Sequence, residues 1–301
     1  MGQWDRVGYG RLSEWGRATI GQVRSNAFIL QLVSAARREE RIAPLRAARV
    51  SVQSAERPHV SCILPAYNEG GRIAAVLSVV TSHPLIDEVI VIDDGSTDNT
   101  ADVAALFDGV RVIVSERNHG KSGAVMEGLK AANGTVLLLL DADLRGLTQE
   151  NLTALILPVI AGTSDMTISL RGNALWPWKL IGIDFVSGER AFARNLVAGR
   201  EDRIALLPGF GLEVFINDLL LAEGCTLTVV EWDNVISPLK TAKYGMWQGM
   251  IGEARMLLQI VETVSLAGTL GQIYALRRRV QTGNENLPRF GMLRQLRRVL
   301  Q

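Results

Sequence analysis

Short runs rich in Val, Ile and Leu alternate with polar loops through the first half of the chain at nearly equal intervals. Four loops stand out: LPAYNE (64–69), IDDGSTDNT (92–100), RNHGKSGA (117–124) and LDADL (140–144). Each follows an apolar run and is itself made largely of Gly, Asp, Asn, Ser and Lys. This rhythm is what a parallel βα sheet looks like in sequence. It predicts strands at 59–64, 88–92, 110–114, 135–140 and near 166–169. Helices are expected at 70–81, 97–107, 123–132 and 151–160. The fourth run is unbroken and apolar, as suits a strand buried on both faces. The fold class is therefore α/β, a mixed but mainly parallel sheet flanked by helices. Such sheets bind ligands beyond the carboxyl ends of their strands, so the four loops should meet at one carboxylate-rich crevice.

The second half is less regular. A stretch rich in Gly, Trp and Pro (171–178) reads as a loop before IDFVSGERAFARNL; GFGLE (209–213) opens a helix running to 222, and a strand follows near 226–231. Residues 1–58 read as a helical N-terminal extension and linker, 59–245 as the main domain, and 246–301 as amphipathic C-terminal helices. In the last of these, Trp247, Met250, Ile251, Ala254, Leu257, Val261 and Val264 share one helical face.

Composition sharpens this picture in three respects. With 301 residues, 48% of them hydrophobic, the chain can bury a sizeable core. Its net charge of +1 hides an uneven layout: ten Arg against five Asp or Glu in 1–58, seven Arg against one Glu in 265–301, and −10 between. The basic ends are either ordinary solvated helix surface or are drawn to an anionic partner, a membrane surface foremost. Nucleic acid is excluded as a partner, because the acidic middle would repel phosphates. Two cysteines, Cys62 and Cys225, give no disulfide framework. No N-terminal signal pattern and no apolar run of about 18 residues is visible. The expectation is a cytoplasmic protein, peripheral at the cytoplasmic face of the membrane if the basic ends dock there; a homo-oligomer is left open.

The candidate chemistry lies at the strand ends. Asp141 and Asp143, two apart at a strand exit, point to the same side. Their charges repel unless something positive binds them, and hard oxygen ligands suit Mg²⁺ or Mn²⁺. Asp93 and Asp94 end the second run; a carboxylate there can accept hydrogen bonds from a base or a ribose, while Ser96 to Asp98 read as turn and cap residues. Lys121 sits at a helix start where it can meet phosphate. The G-K-S run there is not a P-loop, since Ser115 stands where that motif needs Gly. Asp184, Glu189, Arg190 and Glu213 are candidates for a second carboxylate and a phosphate-facing cation, with a structural ion pair as the competing reading. His59, His83 and His119 have no metal-site spacing, so zinc is not expected.

Taken together, P-A-Y-N-E (65–69), D-D-G-S-T-D (93–98), N-x-G-K (118–121) and D-A-D (141–143) resemble the family 2 glycosyltransferases of the GT-A (Rossmann-like) fold. The resemblance implies a nucleotide-sugar donor, UDP- or GDP-linked, with Pro65, Ala66, Tyr67, Glu69 and Asp94 along the nucleoside. It puts Asp141, Ala142 and Asp143 at the metal-bound diphosphate, the ion held by Asp143 and often Asp141. D-F-V-S-G-E-R-A-F (184–192) and G-F-G-L-E (209–213) are similar to the polyprenyl-phosphate (dolichol-phosphate-type) glycosyltransferases, in which these segments line the acceptor side. Those enzymes carry a basic stretch that meets acceptor phosphate; here Lys240 and Lys243 match it loosely. Some relatives place a metal-binding His near 237, where this chain has Ser237. The expected activity is metal-dependent sugar transfer to a lipid-linked, lipid or glycan acceptor, with Glu213 first and Asp184 second as the base for a hydroxyl. Lys121 or Arg190 would stabilise the departing diphosphate. The competing class is a non-catalytic nucleotide-sugar-binding protein, which loss of Asp94, Asp141 or Asp143 would signal; all three are present.

Overall fold

A computed structural model of the chain describes residues 57–238 and 266–280. The expected helix over 1–50, the amphipathic helix from 246, and Lys240 and Lys243 lie outside the described residues.

Seven strands form one sheet: β1 (Val60–Ala66), β2 (Glu88–Asp93), β3 (Val110–Val114), β4 (Val136–Leu139), β5 (Met166–Arg171), β6 (Arg190–Ala193) and β7 (Leu227–Trp232). Their order is β3-β2-β1-β4-β6-β5-β7. β1 pairs parallel with β2 and β4, β2 with β3, and β5 with β7, while β6 runs antiparallel to both β4 and β5. Every strand but β6 therefore points the same way. The carboxyl ends of β1, β2, β4 and β5 share one edge of the sheet with the amino end of β6.

Alternation within the strands fixes the layers. Ile63, Ile90, Ile92, Leu137 and Leu139 face one core with α3 (Gly120–Ala131), α7 (Gly211–Ala222) and α8 (Leu266–Arg277). Cys62, Leu64, Val89, Val91 and Leu138 face the other with α1 (Ile73–Val80) and α4 (Gln149–Ile160). Successive strand side chains point to opposite faces, so an unbroken apolar run fills both layers at once. Each such fully buried side chain contributes about 1.5–3 kcal/mol of burial free energy.

The expected strands are present, with ends shifted by up to two residues. α1 begins at Ile73 rather than 70 because the Gly70 N–H goes to Asp98 and the Glu69 carbonyl closes a turn on Arg72 and Ile73. α2 (Thr100–Ala105) starts later than 97 because Ser96 to Asp98 are spent on contacts with the first loop. α4 starts earlier than 151, where Thr148 and Asn151 form a reciprocal capping box. Two elements correct the sequence reading. Residues 171–178 are not all loop: α5 (Trp176–Ile181) forms there, with Pro177 in its first turn, where a missing N–H costs nothing. The polar segment around Arg190 is β6, inserted between β4 and β5. A short helix, α6 (Glu201–Ala205), precedes α7.

Candidate active site

The loops at the shared edge are laced to one another. Asn68, held at φ 55°, accepts the Thr97 N–H at 2.8 Å, and its own N–H donates to Ser96 Oγ at 2.9 Å. The first and second loops are thus one unit. Asp94 fastens the second to the third: its carboxylate accepts the N–H groups of His119 (2.7 Å) and Gly120 (2.8 Å). Those N–H groups open α3, so a helix start is neutralised by a carboxylate. Burial raises the Asp94 carboxyl above its ordinary pKa, against the opposing pull of the two N–H bonds. Lys121 joins the third loop to the fourth, with Nζ 2.8 Å from Asp141 and 3.0 Å from Glu213. The fourth loop meets the segment after β7, where Arg145 pairs with Ile236 and the Ser237 hydroxyl donates to Asp143 at 3.1 Å. Asn173 fixes Ser237 in place by bonding both its carbonyl (2.6 Å) and its N–H (3.3 Å).

This lacing encloses a cleft of about 520 Å³. Pro65, Ala66, Tyr67, Glu69, Asp94, Lys121, Asp141, Ala142, Asp143 and Asp184, all singled out from the sequence, line it. Asp94 and Asp143 open onto the same hollow. The far wall is apolar: Ala174, Leu175, Trp178, Val186 and Phe210.

Two residues stand elsewhere than expected. Arg190 does not line the cleft among the described residues; it is fully buried, and its guanidinium bonds the Ser187 and Glu213 carbonyls and Asn217 Oδ1. Its strand inserts between β4 and β5, which turns the side chain into the α7 layer. Glu213, at the start of α7, is also buried and reaches the cleft through Lys121. Its second oxygen, Oε2, has no hydrogen-bond partner among the described residues.

Beside Lys121, a second cation faces the cleft: Arg171, at the carboxyl end of β5. It lies 3.4 Å from Asp184 and 3.2 Å from Glu189, and Glu189 also accepts from Ser169 and Ser187 at 2.7 Å each. Lys121 and Arg171 thus serve four carboxylates: Asp141, Glu213, Asp184 and Glu189. Burial would raise the Asp141 carboxyl, but Lys121 and Arg171 outweigh it and hold Asp141 below the usual carboxylate range. Asp184 differs: burial pushes it up to about 6 despite Arg171, and its Oδ1 has no hydrogen-bond partner among the described residues. Gly188 is the other residue that sequence reasoning missed. A Cβ there would lie 2.5 Å from Lys121 Nζ and 2.6 Å from Asp141 Oδ1, so any other residue would make this pair shift.

Residues 61–182 match the family model described as Glycosyl transferase family 2. This stretch is similar to the glycosyltransferases of that family. It holds the first four strand-end loops, β5 and α5. Curated relatives align over short stretches. One is 41% identical over 88 residues to the uncharacterized glycosyltransferase YaiP of Escherichia coli (strain K12), covering 28% of this chain and 22% of the relative. Another is 32% identical over 139 residues to an undecaprenyl-phosphate 4-deoxy-4-formamido-L-arabinose transferase of Pseudomonas fluorescens, covering 41% and 40%. A dolichyl-phosphate beta-glucosyltransferase of Mus musculus is 34% identical over 108 residues, covering 31% and 33%. The matched stretches thus span between 22% and 40% of these relatives' length. Among solved structures, glucosyl-3-phosphoglycerate synthase from Mycobacterium tuberculosis, crystallised with Mn²⁺, UDP-glucose and phosphoglyceric acid, superposes with a TM-score of 0.55. At 21% identity, over 75% of this chain and 81% of that one, this establishes the fold, a GT-A glycosyltransferase architecture.

Proposed function

We propose that this chain transfers a sugar from a nucleotide-diphosphate sugar, UDP- or GDP-linked, to an acceptor, with the help of a divalent cation. The observation that carries this reading is the meeting of Asp94, Lys121, Asp141, Asp143 and Arg171 on one cleft at the strand carboxyl ends. Its volume is in the range that encloses a small-molecule ligand.

The donor set fits a hard cation. Asp141 and Asp143 offer oxygen only, with the Ser237 hydroxyl beside Asp143. Among the described residues no group of three or more His, Cys, Asp or Glu is placed to hold a metal. Mg²⁺ and Mn²⁺ take one or two protein carboxylates and complete their shell with substrate phosphate and water. When bound there, the ion would neutralise charge on the departing nucleoside diphosphate.

The chain's own residues supply the rest. Lys121 and Arg171 are fixed positive charges at the cleft, placed by carboxylates on either side, and such preorganised charge stabilises a leaving group that gains negative charge. Pro65, Ala66, Tyr67, Glu69 and Asp94 line the cleft, and in this reading they hold the nucleoside. For a hydroxyl acceptor, Asp184 takes the proton; a base pushed up to about 6 is ionised at neutral pH yet holds a proton better than an ordinary aspartate. Glu213, the first choice from sequence, is behind Lys121 and becomes the residue that positions that ammonium.

A second reading rests on the far wall. Apolar Leu175, Trp178, Val186 and Phe210 beside the Arg171 guanidinium suit an amphiphilic acceptor, a polyprenyl phosphate. The curated relatives include enzymes named for undecaprenyl and dolichyl phosphates. A phosphate is already ionised and needs no base, so Asp184 then serves only to hold Arg171.

A thermal-shift screen against UDP-, GDP- and dTDP-sugars, with and without Mn²⁺, tests the donor assignment. A ligand that binds only the folded state raises Tm. The expected result is a rise with one nucleotide-sugar that needs Mn²⁺; no rise with any of them would refute the reading.

A further inference from the structure

We infer that the outer face of α5, together with the last turn of α8, docks on an anionic lipid surface. α5 is two-faced. Trp178 points inward, edge-on to Phe185 with ring centroids 5.0 Å apart, and is buried. Trp176 and Leu180, two residues to either side, project the opposite way and are 75% and 77% exposed. Two large apolar side chains this exposed on one helix turn are unusual unless something covers them. Gly182 closes α5 in the left-handed conformation, its N–H bonding the Trp178 carbonyl at 2.8 Å.

Charge says what covers them. Arg277 of α8 reaches the end of α5, its Nη1 3.7 Å from where a Gly182 Cβ would stand. One turn earlier on α8, Tyr274 is 68% exposed, while Ile273 and Leu276 are buried beneath. Residues 171–183 and 266–280 contain Arg171, Lys179, Arg277, Arg278 and Arg279 and no Asp or Glu. An exposed Trp, Leu and Tyr on two segments whose exposed charges, Lys179 and Arg277 to Arg279, are all basic is the makeup of a surface that lies in a bilayer interface. A protein partner for this surface would itself have to present an acidic face. Anionic headgroups match this surface, each basic residue adding attraction that salt screens. Docking would also place the cleft at the lipid, because Leu175 and Trp178 on the same segment line its apolar wall. The inference stands independently of the proposed reaction.

The test is sedimentation of the full chain with vesicles of phosphatidylcholine alone and of phosphatidylcholine with phosphatidylglycerol. Three proteins are compared: the natural chain, Trp176→Ser/Leu180→Ser, and Arg277→Glu. The expected result is binding to the anionic vesicles only, weakened by salt and by Arg277→Glu. The double variant should bind at least about tenfold more weakly, since two apolar side chains no longer leave water. Its Tm should be unchanged, because both side chains are exposed. Brominated lipid should quench the natural chain's tryptophan emission more than that of Trp176→Phe. Three results would overturn the inference. They are no binding of the natural chain to anionic vesicles; undiminished binding of the double variant, which puts the contact elsewhere on the chain; and a lower Tm or a dissolved dimer in the double variant, which means the face is covered by protein.

Discussion

Asp184 is the residue on which the acceptor chemistry turns, and its titration gives it a signature. Its carboxyl moves from an ordinary 3.8 to about 6 in the fold. The folded state therefore holds a proton that the unfolded chain has released, and this group's contribution makes stability fall as pH rises through that window. Asp184→Asn should remove that dependence without lowering stability at neutral pH, as urea titrations at several pH values would record. If the acceptor is a hydroxyl, transfer should drop by about 10²–10⁴ and the rise of kcat/KM through about pH 6 should vanish. A variant that keeps its rate points instead to a phosphate acceptor. Gly188 makes a second residue-scale prediction. Gly188→Ala drives a methyl into the Lys121–Asp141 pair, so kcat/KM should fall by about 10²-fold while circular dichroism and Tm stay near those of the natural chain. At this scale the sequence was most informative where a polar residue follows an apolar strand: Asp94, Lys121, Asp141 and Asp143 all reach the cleft. Arg171 obeys the same rule, closing the apolar run of β5, and that signal was overlooked. Arg190 was misleading because a lone Arg near carboxylates looks the same in sequence whether it faces a ligand or a buried carbonyl.

Among elements, the interlocked loops explain why the strand ends hold their shape without long helices to brace them. Gly95 is the pinch point between the second and third loops. Its φ is +70°, and a Cβ would sit 2.8 Å from the Arg117 carbonyl carbon and 2.9 Å from the Asn118 nitrogen. Backbone cannot retreat as a side-chain tip can. Gly95→Ala should therefore cost about 1–3 kcal/mol in denaturant unfolding and also weaken nucleotide-sugar binding, because Asp94 and the start of α3 move with the loop. Strands β1, β2 and β4 were readable since each buries both faces and so appears as a plain apolar run, while β3 (VRVIV) was marked by its β-branched residues. β6 was not. Its four residues, RAFA, are too few for a periodic signal, and Arg190 within it looks like a loop residue. α5 was hidden for a different reason: W-P-W reads as a turn, yet Pro in a helix's first turn sacrifices no hydrogen bond.

For the molecule as a whole, the acidic middle of the chain and its acidic cleft fit together. Lys121 and Arg171 hold four carboxylates at rest, and Asp143 stands beside them with Ser237. The order of motifs along the chain made the architecture readable, because a parallel sheet sends successive loops to one edge. The antiparallel insertion that brings Ser187 to Glu189 to that same edge depends on pairing across distant segments, which no local pattern carries. Among the described residues no helix is long and apolar enough to cross a membrane, so any lipid contact there is a surface contact. The central claim is that carboxylates from separate loops grip a cation-bound nucleotide-sugar. Isothermal titration of the nucleotide-sugar identified by thermal shift, with and without Mn²⁺, into the natural chain and Asp143→Ala tests it most directly. Binding should strengthen with Mn²⁺ in the natural chain and lose that dependence in the variant. Equal metal dependence in both proteins would contradict the account.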